Sequence, residues 1–283
     1  MIPMATQEVQ AVGRIAGRSV SGEYRLAFTV LMGALLASAW AVLWLWSGSP
    51  YGRYLDHGRW SDAGFVATLC RAVPAGDFVV PALLHATGWV VMIAAMMLPT
   101  TLPLLEIFRR ITAERADAKR LLALVVVGYL VAWLGFGLAA HALDLGVHAA
   151  ARDAPWLVAH GWVIGAALVG TAGLFQFSSL KYRCLDRCRT TFGFVAERWR
   201  GVAPAREALR IGLDHGAFCV GCCWALMLLM FVVGSGSLGW MLALAAVMAA
   251  EKNLPGGRRL SAPLGAALVA WAAGIAAVNL AGL

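Results

Sequence analysis

Charged residues are scarce in this sequence. They make up 13% of the 283 residues, whereas hydrophobic residues make up 61% and the mean hydropathy is +0.75. A soluble domain carries about 25% charged residues, so the composition excludes a soluble fold. The sequence also lacks a phosphate-binding loop, a Gly-rich strand-to-helix turn and a Ser-His-Asp ordering. No acidic pair stands inside an apolar run, as an ion-coupled carrier usually requires.

Long apolar runs are abundant instead, and a bilayer takes about 20 residues for each crossing. Six such runs cover residues 25–46, 79–98, 121–143, 156–180, 215–234 and 260–281. A shorter run, 238–250, predicts a seventh span or a tilted half-span. The sequence therefore predicts an all-α, polytopic transmembrane bundle of six to seven spans. Because residues 1–24 lack a long apolar core and a cleavage site, we expect a retained tail at 1–24 and one transmembrane domain at 25–283.

The 23 basic residues outnumber the 15 acidic residues and give a net charge of +8. All but four of the basic residues fall in segments predicted to be cytoplasmic, and the exceptions are Arg53, Arg59, Arg71 and Arg152. This distribution predicts a multi-pass protein of the bacterial inner membrane with its N-terminus in the cytoplasm. It attracts anionic lipid, so we expect the bilayer, and not nucleic acid, as a partner. In the basic inner loop at 181–212, residues 204–213 predict a separate interfacial helix.

Three cysteines within five residues are the most informative motif. The residues that share about 140° of one helical face are Cys219, Cys222, Cys223, Met227 and Met230. His215 lies one turn upstream on the same stripe, and a second thiol pair, Cys184 and Cys188, has i, i+4 spacing. Lys and Arg residues flank that pair and favour the thiolate, the form that binds metal. The two groups together supply enough thiolates for a tetrahedral site.

A methionine-bearing segment is predicted to end in the same leaflet. Met96 and Met97 precede Pro99, where the helix kinks or ends, and we expect them to form a thioether surface beside the thiols with Met227. Four polar residues are predicted to support the ligands: Gln176, Lys181, His215 and Glu251. For Glu251, pairing with Lys252 or Arg258 is the alternative to a role as ligand or proton carrier.

The opposite face holds a separate polar set, which consists of His85, His141, Asp144 and His148. The last three share one helical face and could bind a hard or borderline metal ion. Solvation at the outer interface, where polar residues are expected, is the alternative explanation and the one that their position favours.

Three strings resemble one bacterial family, described as predicted metal-binding integral membrane proteins of unknown function. They are Ala94-Ala-Met96-Met97-Leu-Pro99, Gln176 through Arg189 with its two cysteines, and Phe218-Cys-Val-Gly-Cys-Cys-Trp-Ala-Leu-Met227. Glu251-Lys252 belongs to the same resemblance, which spans about residues 80 to 255 and implies metal binding. Two departures are Phe218, where Tyr is usual, and 234–237, where a Met-Asn pair is expected.

The predicted function is soft-metal binding at the cytoplasmic side, with copper favoured, for metal handling or delivery to a partner protein. Thioether and thiolate ligands together suit Cu(I), whereas four thiolates alone suit zinc or an iron–sulfur cluster. One alternative is a membrane oxidoreductase that uses a metal centre or a reversible Cys219–Cys222 pair with a quinone. A transporter linking the inner thiols to the outer histidines is a third.

Overall fold

The structure is a computed structural model that describes residues 22–49, 79–154, 156, 160–233 and 237–281. All regular structure in these residues is helical, which confirms the predicted all-α fold. The helices are α1 (Gly22–Ser47), α2 (Val79–Met96), α3 (Leu102–Ile111), α4 (Ala118–Asp153), α5 (Trp162–Phe175), α6 (Ser179–Arg189), α7 (Thr191–Arg198), α8 (Pro204–Val233), α9 (Leu238–Asn253) and α10 (Ser261–Ala281). Short 3-10 turns at Leu98–Thr101 and Gly257–Leu260 precede α3 and α10.

Among the described residues, four helices are long and apolar enough to cross a membrane, and there are six if each of two bent pairs counts as one span. The bent pairs are α2 with α3, at 50°, and α5 with α6, at 62°. The run at 238–250 forms the 16-residue α9, which is about 24 Å long and shorter than a hydrocarbon core of about 30 Å. The N-terminal orientation stays a prediction, and most of the tail at 1–24 lies outside the described residues.

The helix that carries Cys219, Cys222 and Cys223 is longer than the sequence predicts. Residues 204–213 do not form a separate interfacial helix but continue into the cysteine-bearing run as the 30-residue α8. Pro204 starts this helix with a suitable φ, and the Glu207 carboxylate accepts hydrogen bonds from the backbone N–H groups of residues 200–203. No proline follows Pro204 within α8, so nothing interrupts its hydrogen-bond ladder.

Helices α4 and α8 form the closest helix pair, and glycines make the contact. A Cβ atom at Gly128 would overlap the backbone carbonyl of Leu209, and one at Gly212 would overlap the carbonyl of Val125. The backbones therefore touch directly, as small residues permit in membrane helices. This contact fixes α8 against the centre of the bundle.

We expect Gly128→Ala to lower the thermal unfolding midpoint of the protein in detergent, because overpacking costs about 1–3 kcal/mol. Gly135 is the matched control, since it lies in the same helix and a Cβ there would meet no atom within 4 Å. Gly135→Ala should gain up to about 1 kcal/mol of helix propensity. Equal midpoints for the two variants would contradict direct backbone contact.

Two apolar cores lie along the bundle. The larger core contains the buried cysteines and methionines, and the smaller core packs α3, α7 and the first halves of α4 and α8. Leu98 and Phe218 pack against both cores. The thiols are therefore at the junction between the two cores.

Candidate metal centre

Helices α6 and α8 pack against each other and bring their thiols together. The Sγ atoms of Cys188 and Cys222 are 4.0 Å apart, and those of Cys222 and Cys223 are 3.3 Å apart. The Ser178 hydroxyl caps α6 by accepting a hydrogen bond from the Lys181 backbone N–H. The i, i+4 spacing then turns both α6 cysteines towards α8. The structure therefore places the α6 cysteines beside those of α8.

Cys184 occupies a space that a glycine provides. A Cβ atom at Gly221 of α8 would stand 2.6 Å from the Cys184 Sγ, closer than any real contact. Gly221 lies between Cys219 and Cys222 in the sequence, so the same motif that presents thiols also makes room for one. Cys184 and the other four described cysteines are reduced and buried.

Cys219 is surrounded by polar groups from three other elements. The Lys252 ammonium donates a hydrogen bond to the Cys219 Sγ at 2.8 Å and another to the Thr100 hydroxyl at 3.3 Å. The Tyr129 hydroxyl lies 3.0 Å from the same sulfur and donates to the Met97 carbonyl at 3.2 Å. Within the described ranges Lys252 forms no ion pair with a carboxylate. A cation beside a thiol favours the thiolate, so Cys219 is the sulfur best placed to carry negative charge.

A second buried cation, Lys181, is paired with Glu251. Its ammonium donates to the two carboxylate oxygens at 2.8 and 2.9 Å and also to the Gln176 side-chain oxygen. The Ser261 hydroxyl donates to Glu251 at 2.6 Å, and all four residues are buried. The partner of Glu251 is therefore Lys181, and the predicted pairing with Lys252 or Arg258 is wrong.

The end of α9 positions both charged residues. The Arg189 guanidinium donates to the backbone carbonyls of Glu251, of Lys252 at 3.2 Å and of Leu254 at 2.8 Å, and so caps the helix. Glu251 and Lys252 are about 100° apart on the helix, so one reaches α6 and the other reaches α8. In the sequence, Lys252 counts among the cytoplasmic charges. Its position two residues after an apolar run is the signal that could have revealed its contact with a buried thiol.

The methionines of the larger core are buried together with the thiols. They include the predicted Met96, Met97 and Met227, each at most 1% exposed. The complete set in this core is Met92, Met96, Met97, Met227, Met230, Met241 and Met248. Met241 and Met248 were not predicted as site residues.

His215 lies one turn before Cys219 and is also buried. Its ring centroid is 5.5 Å from that of Phe194 and 6.1 Å from that of Tyr129. Its Nδ1 atom has no hydrogen-bond partner among the described residues. A buried polar atom without a partner is costly, and a neutral imidazole nitrogen is a common metal ligand.

In the part of the chain that the structure describes, no group of three or more Cys, His, Asp or Glu side chains is arranged so that it could hold a metal ion. The sulfur spacings still fit a shared ion, because two ligands bound at about 2.3 Å stand at most about 4.6 Å apart. Thiols, thioethers and one free imidazole nitrogen are donors for a soft or borderline cation.

The outer set is described only in part. His141 is half-buried near the outer end of α4. The side chains of His85, Asp144 and His148 lie outside those that the structure describes. The outer-face site therefore stays a prediction.

Comparison with known proteins gives a family. A family model described as a copper chaperone, PpoB2, matches residues 86–275, which is more than half of the chain. No curated protein and no solved structure matches. The matched residues include both cysteine-bearing helices and Glu251-Lys252, in line with the metal-related character of the family that the sequence resembles. The chain therefore belongs to the copper chaperone family PpoB2.

Proposed function

We propose that this protein binds Cu(I) at the cytoplasmic side of the membrane and delivers it to a partner protein. The proposed ligands come from Cys184, Cys188, Cys219, Cys222 and Cys223, with Met96, Met97 and Met227 as adjacent thioethers. The observation that carries the proposal is the convergence of buried sulfurs from α6 and α8, with Sγ–Sγ distances of 3.3 and 4.0 Å. Membership of a copper chaperone family supports copper as the cargo.

The charge balance around the thiols favours Cu(I) over Zn(II). Two thiolates on Cu(I) carry one net negative charge, and the buried ammonium of Lys252 neutralises it. Four thiolates on Zn(II) carry two negative charges, so the same ammonium would leave one unbalanced in the core. An unbalanced buried charge is costly. The site is therefore suited to a monovalent soft ion.

The proposal is tested by Cu(I) titration of the purified full chain against a competing chelator. We expect the double variant Cys188→Ser/Cys222→Ser to bind Cu(I) more than about 100-fold more weakly, since loss of supporting residues alone costs metal sites 10–100-fold. Cys70→Ser is the control because Cys70, which lies outside the described residues, belongs to neither cysteine group. Unchanged affinity in the double variant would contradict the proposal.

The colour and the paramagnetic signal of the same purified protein distinguish the Cu(I) proposal from the oxidoreductase alternative. Cu(I) has a filled d shell and gives neither a paramagnetic signal nor a ligand-field band. The protein loaded with Cu(I) should therefore be colourless and silent in paramagnetic resonance. An iron–sulfur chromophore in the protein as purified would overturn the Cu(I) proposal in favour of a redox centre.

A further inference from the structure

The sulfurs of α8 continue beyond the thiol cluster. From residue 219 to residue 230, nearly every turn of α8 carries one sulfur. The residues in this row are Cys219, Cys223, Met227 and Met230. All four are at most 1% exposed. The row leads away from the thiols, towards the end of α8 that joins α9.

Helix α9 carries a matching row in the opposite direction. The two helices are consecutive and antiparallel, and the 2.8 Å contact between Lys252 Nζ and Cys219 Sγ fixes their register. Met230 follows Cys219 by 11 residues, and Met241 precedes Lys252 by 11 residues. Eleven residues are about three turns and about 16 Å, with a rotation of only about 20°. Met230 and Met241 therefore stand at the same depth on facing sides of the two helices.

Burial agrees with this register. Met230 is 1% exposed and Met241 is 2% exposed, and both belong to the core that holds the thiols. Met248 and Cys223 occupy equivalent positions one turn from the Lys252–Cys219 contact. Met92 of α2, which also packs against α9, is buried in the same core. Thioethers from three helices are thus buried in the core that also holds the thiols.

We propose that Met230 and Met241 form a second Cu(I) site, made of thioethers only, about 10 Å along α8 from Cys223, the nearest thiol of the cluster. The inference rests on the proposed function, because it treats Cu(I) as the cargo. Thioethers are neutral, soft ligands that suit Cu(I) and hold it without a proton leaving, but they leave its single positive charge unbalanced in the core, so they bind it weakly. Thiolates add charge and bind the same ion more tightly. Copper bound at Met230 and Met241 would therefore pass along α8, by way of Met227, to Cys223 and the other thiols.

The test counts bound Cu(I) in the purified full chain under a Cu(I) buffer. Met230→Leu/Met241→Leu should bind about one equivalent fewer than the wild type and keep the tight copper of the thiol cluster. Met→Leu conserves volume and is among the best tolerated core changes. Met32→Leu is the control, since Met32 is on α1 beside an apolar cavity lined by α1, α2 and α3. An unchanged copper count in the double variant would overturn the site.

A variant without four of the thiols tests the thioether site independently of the proposed function. In Cys188→Ser/Cys219→Ser/Cys222→Ser/Cys223→Ser, tight binding is lost and about one weakly bound Cu(I) should remain, with only sulfur scatterers in X-ray absorption. Adding Met230→Leu/Met241→Leu should remove it. Oxygen or nitrogen scatterers, or no effect of the methionine changes, would refute the thioether site. Persistence of tight binding would instead refute the thiol proposal.

Discussion

Replacing Glu251 by alanine is expected to destabilise the protein by about 3–5 kcal/mol, because it leaves a buried ammonium without its counter-charge. The Lys181 and Glu251 side chains are 0% and 1% exposed, and their charged atoms are 2.8 Å apart. Water cannot replace the lost carboxylate at such a position. The free energy of unfolding in detergent, measured with a denaturant, should show the loss directly.

Two controls make this expectation specific. Glu197 forms surface ion pairs with Arg187 and Arg198 at 3.4 and 3.2 Å and is 60% exposed, so Glu197→Ala should cost at most about 1 kcal/mol. The double variant Lys181→Met/Glu251→Leu should recover most of the stability, because removing both charges leaves none unpaired. A loss for Glu251→Ala no larger than that for Glu197→Ala would show that the buried pair contributes little.

Replacing Lys252 by leucine is expected to weaken Cu(I) binding by about 100-fold. A pair of unit charges about 4 Å apart interacts with about 4 kcal/mol at an effective dielectric constant of about 20. About two thirds of that energy, roughly 2.8 kcal/mol, corresponds to 100-fold in affinity. The ammonium touches the Cys219 Sγ, so its charge acts at the sulfur itself. The dissociation constant for Cu(I), measured by chelator competition, reports the change.

Two variants serve as controls. Lys252→Arg keeps the positive charge and should retain most of the affinity for Cu(I). Lys119→Met removes a charge from an exposed position of α4. The control at Lys119 should leave binding unchanged. If Lys252→Leu binds Cu(I) as tightly as the wild type, the counter-charge explanation for Cu(I) preference is wrong.

The positions of the thiols could be predicted because local spacing determines them. Cys184 and Cys188 are one turn apart, and Cys219, Cys222 and Cys223 share one helical face, so each group had to point in one direction. The ends of their helices lie in the same predicted leaflet, which made their meeting foreseeable. Apolar length predicted six to seven spans, and the described residues contain four candidate spans, or six if each bent pair is one span.

The partners of the charged residues could not be predicted. Lys181 and Glu251 are 70 positions apart, and no local pattern links them. Their contact depends on the 62° bend between α5 and α6 and on the Arg189 cap at the end of α9. The role of Lys252 was missed for the same reason, since a lysine at the end of a span is usually an anchor to lipid.

The exposure of the cysteines falls from 8% at Cys184 and 6% at Cys188 to 0% at Cys219. Solvent, dissolved oxidants and a docking protein therefore reach α6 before they reach α8. The sulfur nearest to a buried cation is thus the last to be oxidised or alkylated. Movement of α6 away from both α8 and α9 must break the Lys181–Glu251 pair and the Arg189 cap, which join α6 to α9. Cu(I) held at Cys219, as proposed above, can leave only when α6 opens. The rate of this opening therefore sets how long the ion stays bound, and a site of high affinity can hand over its ion no faster than that rate.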